Sequence, residues 1–117
     1  MTTDTRRLAV VTGASQGIGR EIAVTLAATG WDVAFSFIGD DSKANEVCAL
    51  ISAAGGKSLG VISDAGVKKE VLGFFDQIVA TFGRVPDLLV NNAGIQTWAP
   101  LLELAEEDWD RVLRTNL

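Results

Sequence analysis

The 117-residue sequence contains no histidine and no tyrosine. The usual general base at neutral pH and the commonest phenolic acid are therefore absent. Any proton transfer by this chain depends on Lys, Asp, Glu or its single cysteine, Cys48. One cysteine excludes an intrachain disulfide and fits a reducing cytoplasm, which is the predicted location. No metal-binding site is predicted.

Long apolar runs and basic clusters are also missing. The sequence is 48% hydrophobic, but no apolar run reaches the ~18 residues of a membrane-spanning helix. The first residues have neither the apolar core nor the cleavage site of a signal peptide. The net charge is -5, and basic residues adjoin only as pairs, which disfavours contact with a phosphate backbone. We therefore expect neither a membrane nor nucleic acid as a partner.

What the sequence does contain is a regular alternation of four short apolar runs and four amphipathic stretches. Residues 8–12, 32–38, 58–63 and 87–92 are predicted as strands, and the stretches between and after them have apolar residues at helical spacing. Gly30, Gly55 and Gly83 are expected to follow helix ends, and Ser42 is expected to start the second helix. The β-α order predicts a Rossmann-type, doubly wound parallel sheet with helices on both faces.

The first strand-to-helix turn carries three glycines, Gly13, Gly17 and Gly19, in VVTGASQGIG (residues 10–19). Glycines in such a turn allow a tight reversal, close approach of the backbone to a pyrophosphate, and close packing of helix on strand. The free N–H groups of the helix N-terminus favour a phosphate. An ordinary glycine-rich turn is the alternative, but the position between a buried strand and an amphipathic helix favours a nucleotide-binding loop.

TGASQGIG (residues 12–19) resembles the cofactor fingerprint of the short-chain dehydrogenase/reductase family. SDAG (63–66), NNAG (91–94) and RTNL (114–117) follow in the order of that family's motifs. The similarity is greatest to the branch of 3-oxoacyl carrier-protein reductases and bacterial sugar dehydrogenases. The resemblance implies an NAD(P)-dependent oxidoreductase that interconverts an alcohol and a ketone or aldehyde by hydride transfer, acting on a small-molecule substrate.

The same resemblance assigns candidate site residues. It implies an adenine contact for Asp64, a cleft-lining role for NNAG, and a catalytic role for Asn116, which would hold a water molecule in a proton relay. Asn116 also continues the apolar stripe of Trp109, Val112 and Leu113, where a polar side chain needs a partner. The predicted cofactor-binding residues are Gly13, Ser15, Gln16, Gly17, Ile18, Gly19, Ser36, Asp64, Ala65, Asn91, Ala93 and Gly94.

Simpler structural roles remain open for several of these residues. Asp64 is also a suitable cap for the third helix, and Asn91 and Asn92 are suitable for a strand end and turn. The alternative for Asn116 is a bond to a neighbouring backbone group, or simply a position near a helix end, but the water-relay role is preferred. Cys48 lies on an apolar helix stripe and is interpreted as a packed thiol rather than a nucleophile.

The choice between NAD and NADP depends on the end of the second strand. A carboxylate there would bond the ribose hydroxyls of NAD and repel the 2′-phosphate of NADP. Ser36 stands where that acid is expected, and no acid follows until Asp40. Lys43 is close enough in sequence to reach the site. We therefore expect NADP, with NAD as the alternative.

The catalytic Tyr and Lys of the family, with a Ser before them, lie beyond its fifth helix position, whereas this chain ends at Leu117. Residues 1–117 are interpreted as the N-terminal part of a single NAD(P)-binding Rossmann domain, truncated after the fifth helix position. This chain alone is predicted to be inactive, and the sheet edge beside the fourth strand is expected to be open. A non-catalytic nucleotide-binding module is the alternative.

The last helix also suggests self-association. Trp109, Val112 and Leu113 form its apolar side, and Leu102 and Leu104 precede it. The resemblance implies that this helix packs against its copy, which predicts a homo-oligomer, specifically a tetramer, for the full-length protein. The alternative is that the apolar side faces the protein's own sheet.

Overall fold

The computed structural model describes residues 6–93 and 105–116. Strands β1 (Arg7–Val11), β2 (Trp31–Phe37), β3 (Ser58–Ile62) and β4 (Leu88–Val90) alternate with helices α1 (Gly17–Ala28), α2 (Asp41–Ala53), α3 (Lys68–Phe82) and α4 (Glu106–Asn116). The strands form one sheet in the order β3-β2-β1-β4, and every pair is parallel. This confirms the predicted fold class. Helix α4 is the one that carries most of the RTNL motif.

The sheet has an apolar cluster on each face. On one face, α1 and α2 cover the sheet, with Val47 and Ile51 of α2 packed together with Phe35 of β2. On the other face, Phe74 and Ile78 of α3 cover β1 and β2. Because β1 is covered on both sides, its residues from Leu8 to Val11 are all apolar, as is usual for parallel strands. None of the helices in the described ranges is long and apolar enough to cross a membrane.

Strand β4 lies at one edge of the described sheet. Of the described strands, it pairs with β1 only. Leu88 and Leu89 are 36% and 47% exposed. Parallel strands are normally covered on both faces, so these two side chains are unusually exposed for a strand of this kind. The open edge beside β4 stays a prediction.

Helix α2 begins differently from the prediction. It starts at Asp41, and the N-cap is Asp40, whose Oδ1 accepts a hydrogen bond from the Ser42 N–H at 2.8 Å. The prediction that Ser42 starts the helix is therefore wrong, because the carboxylate two residues earlier provides the cap. Hydrogen bonds from Ser42, with a smaller contribution from the positive charge of Lys43, hold the pKa of Asp40 below its ordinary value of 3.8.

Helix α3 also begins later than the sequence indicates. Its N-cap is Val67, which contributes no capping side chain, and Asp64 lies three residues further back. The Asp64 Oδ1 accepts a hydrogen bond from the Gly66 N–H at 2.8 Å. Asp64 therefore stabilises a turn before the helix and does not cap the helix itself. At the other end of α3, Gly83 is the C-cap in the left-handed conformation, as predicted.

Gly60 interrupts the apolar run of β3 for a steric reason. It pairs with Phe35 of β2, and a Cβ at position 60 would lie 2.8 Å from the Phe35 Cζ. The phenyl ring occupies the space that a side chain would need. Glycine in this strand therefore allows Phe35 to be fully buried.

Charged groups hold the amino ends of the strands together. The Asp32 carboxylate lies 3.1 Å from the Arg6 Nε and 3.1 Å from an Arg84 guanidinium nitrogen, and its Oδ1 accepts the Lys57 N–H at 2.8 Å. Arg6 also donates to the carbonyl oxygens of Ala27 and Trp31 at 2.8 Å each. One carboxylate thus connects segments that precede β1, β3 and β4.

Candidate nucleotide-binding site

A cavity of about 380 Å3 lies at the carboxyl ends of the strands, where doubly wound sheets bind their ligands. Its volume falls within the range of small-molecule sites. Its described lining contains no charged side chain and combines hydroxyl, amide and small apolar groups. The lining residues are Gly13, Ser15, Gln16, Ile18, Ser36, Phe37, Ile38, Ser63, Ala65, Asn92 and Ala93.

The N-terminus of α1 faces this cavity and carries no side-chain cap. Its N-cap is Gln16, whose side chain makes no capping hydrogen bond, and its first turn contains no acid. By contrast, α2 has Asp40 as cap and Asp41 in its first turn. The first N–H groups of a helix have no partner within the helix and carry a partial positive charge. The start of α1 is therefore suited to an anionic ligand such as a pyrophosphate.

Two of the three glycines allow close packing against the turn after β4. A Cβ on Gly13 would lie 2.9 Å from the Ala93 Cα, and a Cβ on Gly19 would lie 2.5 Å from both the Asn92 Nδ2 and the Gly13 oxygen. The Asn92 Nδ2 donates to the Gly13 carbonyl at 3.0 Å. Glycine is needed at both positions because backbone or amide atoms occupy the space of a side chain.

Gly17 has a different role. Its φ is +63°, in the region that favours glycine, and within the described residues no atom beyond its chain neighbours lies within 4 Å of the position of a Cβ. The residue gives the turn its shape and leaves open space at the start of α1. Gly13, with φ +68°, and Gly17 thus allow the tight turn that the sequence predicts, whereas the close packing of Gly13 and Gly19 is against the turn after β4. The close approach to a pyrophosphate stays a prediction.

Thr12 is a residue of this site that sequence reasoning missed. Its Oγ1 accepts hydrogen bonds from the Asn92 N–H at 3.0 Å and the Ala93 N–H at 2.9 Å. The strand prediction placed Thr12 inside the first strand and Asn92 inside the fourth, but β1 ends at Val11 and β4 at Val90. Both residues therefore lie in turns, where the hydroxyl joins the glycine loop to the NNAG segment.

Ser36 lines the cavity, but its own hydrogen bonds are directed at the glycine loop. It is 2% exposed, its Oγ accepts the Gly13 N–H at 3.3 Å, and its carbonyl accepts the Ala14 N–H at 3.0 Å. A charged side chain of α2 contacts the loop instead. The Lys43 Nζ donates to the Gln16 Oε1 at 2.6 Å, which places an ammonium group against a lining residue.

The predicted site residues separate into four groups. Seven line the cavity: Gly13, Ser15, Gln16, Ile18, Ser36, Ala65 and Ala93. Gly17 and Gly19 shape the loop behind it. Asp64 and the exposed Asn91 lie outside the described lining, and Asn92 occupies it instead of Asn91. Gly94 and the side chains of Asn116 and Trp109 lie outside the described residues, as do Leu102 and Leu104.

The fold and this cleft define a Rossmann-type α/β protein. Its sequence matches the short chain dehydrogenase family over residues 7–117, and the chain belongs to this family of oxidoreductases.

The relatives agree with the motifs. The chain is 43% identical over 109 residues to the 3-oxoacyl-[acyl-carrier-protein] reductase FabG of Staphylococcus epidermidis, covering 93% of this chain and 44% of that protein. It is 41% identical over 121 residues to the 3-oxoacyl-[acyl-carrier-protein] reductase of a Synechocystis strain, covering 100% and 47%. The chain thus spans less than half the length of these relatives, and its sequence is similar to the 3-oxoacyl reductase branch.

Solved structures show the same fold. A short-chain dehydrogenase/reductase from Serratia marcescens superposes with a TM-score of 0.89 at 38% identity, covering 95% of this chain and 45% of that one. A short-chain type dehydrogenase/reductase from Mycobacterium marinum gives a TM-score of 0.87 at 33% identity, with coverage of 95% and 44%.

Proposed function

We propose that residues 1–117 form the N-terminal, cofactor-binding part of a single NAD(P)-binding domain. The complete protein interconverts an alcohol and a ketone or aldehyde. The observation that carries this proposal is the uncapped N-terminus of α1, which faces a cavity lined by uncharged groups. The family and the 3-oxoacyl reductase relatives support the reaction class. These relatives favour a 3-oxoacyl thioester as the substrate, and the second candidate is a sugar, as for a sugar dehydrogenase.

In this proposal the chain binds and orients the dinucleotide. The first amides of α1 hold the pyrophosphate, and the contacts of Asn92 and Thr12 fix the loop that presents those amides. The bound nicotinamide supplies or accepts the hydride. Asn116 contributes a water contact to the proton path. The acid-base group of this family is a tyrosine, and because the sequence contains none, this proposal assigns that role to the rest of the protein.

Nucleotide binding is tested on this chain directly. We expect NADP+ to shift the amide NMR signals of Gly17, Ile18 and Gly19. Gly13→Val should remove the shifts, because its side chain would collide with Ala93. Val85→Ala, at an exposed position outside the described lining, is the control. Absence of shifts in the wild-type chain would contradict the proposal.

The reaction is tested on the intact protein. NADPH oxidation with a 3-oxoacyl thioester supports the oxidoreductase. Cofactor binding without turnover of any carbonyl substrate supports the alternative, a non-catalytic nucleotide-binding module. The observation in favour of the non-catalytic alternative is the lack of tyrosine in this chain.

NADP is the proposed cofactor. No carboxylate occupies the described lining at the end of β2, and the Lys43 ammonium lies against Gln16 at 2.6 Å. We expect Lys43→Ala to weaken NADP+ binding roughly tenfold, about 1.4 kcal/mol, and to leave NAD+ binding unchanged. Lys69→Ala, an exposed lysine of α3, is the matched control. An equal effect on both nucleotides would argue against a 2′-phosphate contact.

Self-association is proposed for the intact protein, as a homotetramer in which α4 contributes to an isologous contact. Leu113 of this helix is 40% exposed in the chain. Light scattering should give a mass of four subunits, and Leu113→Glu should lower it. A monomeric mass that does not change with concentration would rule out the tetramer without affecting the cofactor site.

A further inference from the structure

We propose that Glu70 is a positioning residue for the adenosine half of the cofactor, an inference that rests on the proposed function. Glu70 lies in the first turn of α3, outside the described lining of the cavity. Its Oε1 accepts a hydrogen bond from the Asp64 N–H at 2.9 Å. The contact fixes the loop of residues 63–67, which joins β3 to α3.

This loop forms part of the cavity wall. Ser63 and Ala65 both line the cavity, and Asp64 lies between them in the chain. Ser63 is anchored to the neighbouring strand by its N–H, which donates to the Phe37 carbonyl at 3.1 Å. Because Ser63 is held by this bond, a shift of the Asp64 amide is passed on to Ala65, the next residue in the chain.

Within the described residues, one hydrogen bond joins this loop to a side chain outside it, and the acceptor of that bond is the Glu70 carboxylate. The loop's own contacts are the Asp64 carboxylate on Gly66 and the Asp64 carbonyl on the Val67 N–H at 3.0 Å. Both are local turn bonds and set only the curvature of the loop. The bond from Glu70 connects that turn to a helix that is packed on the sheet through Phe74 and Ile78.

The position of Glu70 on the helix explains why its carboxylate reaches the loop. Glu70 is the third helical residue after the N-cap, Val67, which has no capping side chain. A glutamate at this position commonly reaches back to the N-cap N–H, and the partial positive charge of the helix start favours its carboxylate there. Here the carboxylate extends three residues further, to Asp64. The helix start and the cavity wall are thus joined by one side chain.

The sheet order indicates which half of the cofactor this wall meets. Strand β3 neighbours β2, on the opposite side of β1 from β4. In doubly wound dinucleotide-binding sheets, the end of the second strand contacts the adenosine ribose. The loop after β3 lies beside that strand end, so it contacts the adenosine half and not the nicotinamide half.

The test compares two ligands on the 117-residue chain. Adenosine 2′,5′-bisphosphate carries the adenosine half of NADP, and nicotinamide mononucleotide carries the other half. We expect Glu70→Ala to weaken the first ligand roughly tenfold and to leave the second within about twofold, as for loss of one hydrogen bond to a charged group. Glu70→Gln retains an acceptor oxygen and should restore binding. Asp76→Ala, an exposed carboxylate of the same helix, is the control.

A structural role alone would give a different pattern. Equal weakening of both ligands, or unchanged binding of the bisphosphate despite faster hydrogen exchange of the Asp64 amide, would overturn the inference and leave the proposed function standing. If the wild-type chain bound neither of the two ligands, the proposed function and this inference would both be overturned.

Discussion

Gly19→Ala provides the sharpest test of the contact between the glycine loop and the turn after β4. In the structure a Cβ at position 19 would lie 2.5 Å from the Gly13 oxygen and 2.5 Å from the Asn92 Nδ2. Neither atom can move freely, because the two are joined to each other by a hydrogen bond of 3.0 Å. The added methyl group must therefore displace the loop, break this bond, or both.

The expected loss follows from three contributions. Overpacking a buried site costs about 1–3 kcal/mol, and loss of the Asn92 bond costs about 1 kcal/mol. Replacing glycine by alanine inside a helix contributes up to about 1 kcal/mol in the opposite direction. We expect a net decrease of about 2 kcal/mol in the free energy of unfolding, measured by urea denaturation, together with weaker NADP+ binding.

Gly73→Ala is the matched control. Gly73 also lies within a helix, α3, but no atom of the described residues outside the backbone of this helix lies within 4 Å of its Cβ position. Only the propensity contribution applies there, so this variant should be stabilised by about 0.5–1 kcal/mol. The same substitution is thus expected to have opposite signs in two helices. A stabilised Gly19→Ala chain would refute the close contact and the explanation given for this glycine.

Three further predictions concern other contacts of the fold and site. Thr12→Val should lower the free energy of unfolding by about 1–3 kcal/mol, because two N–H groups of the turn after β4 lose their acceptor. Urea denaturation measures this free energy, and Thr12→Ser should restore most of the loss. Gly60→Val should lower the free energy of unfolding by about 1–3 kcal/mol, because the added side chain collides with the Phe35 ring. A smaller loss in a Phe35→Leu background would confirm this cause, whereas an equal loss would exclude it. The Asp40 carboxyl should titrate below pH 3.8 in carbon-detected NMR. Because its pKa is lower in the folded chain than in the unfolded chain, the cap stabilises α2 above pH 3.8, and this stabilisation is lost as the pH falls through the folded pKa.

The sequence was sufficient to predict the fold, because buried parallel strands and amphipathic helices differ clearly in the spacing of their apolar residues. The strand β1 is an example, since Leu8 to Val11 are all buried and all apolar. Helix starts were less predictable. Ser42 and Asp40 are both common caps, and only the backbone conformation decides that Asp40 accepts the bond.

The site was predicted unevenly for a related reason. The glycine loop is contiguous in sequence, so its motif identifies it. The contact of Thr12 with Asn92 spans 80 residues, and its existence depends on β1 and β4 being neighbours with a fixed register. Nor does spacing show that the Lys43 ammonium reaches Gln16 across 27 residues. Pairings of this kind follow from the order of strands and helices in space, which the motifs do not specify.

The cluster around Asp32 has a consequence for the way this sheet opens. Its ion pairs with Arg6 and Arg84 lie at the amino ends of the strands, whereas the ligand cavity lies at the carboxyl ends. Local opening begins where fewest contacts must break. At the cavity end, β1 and β4 are also joined, by the hydrogen bonds of Thr12 and Asn92. Separation of these strands therefore requires contacts to break at both ends, which keeps the strands in register.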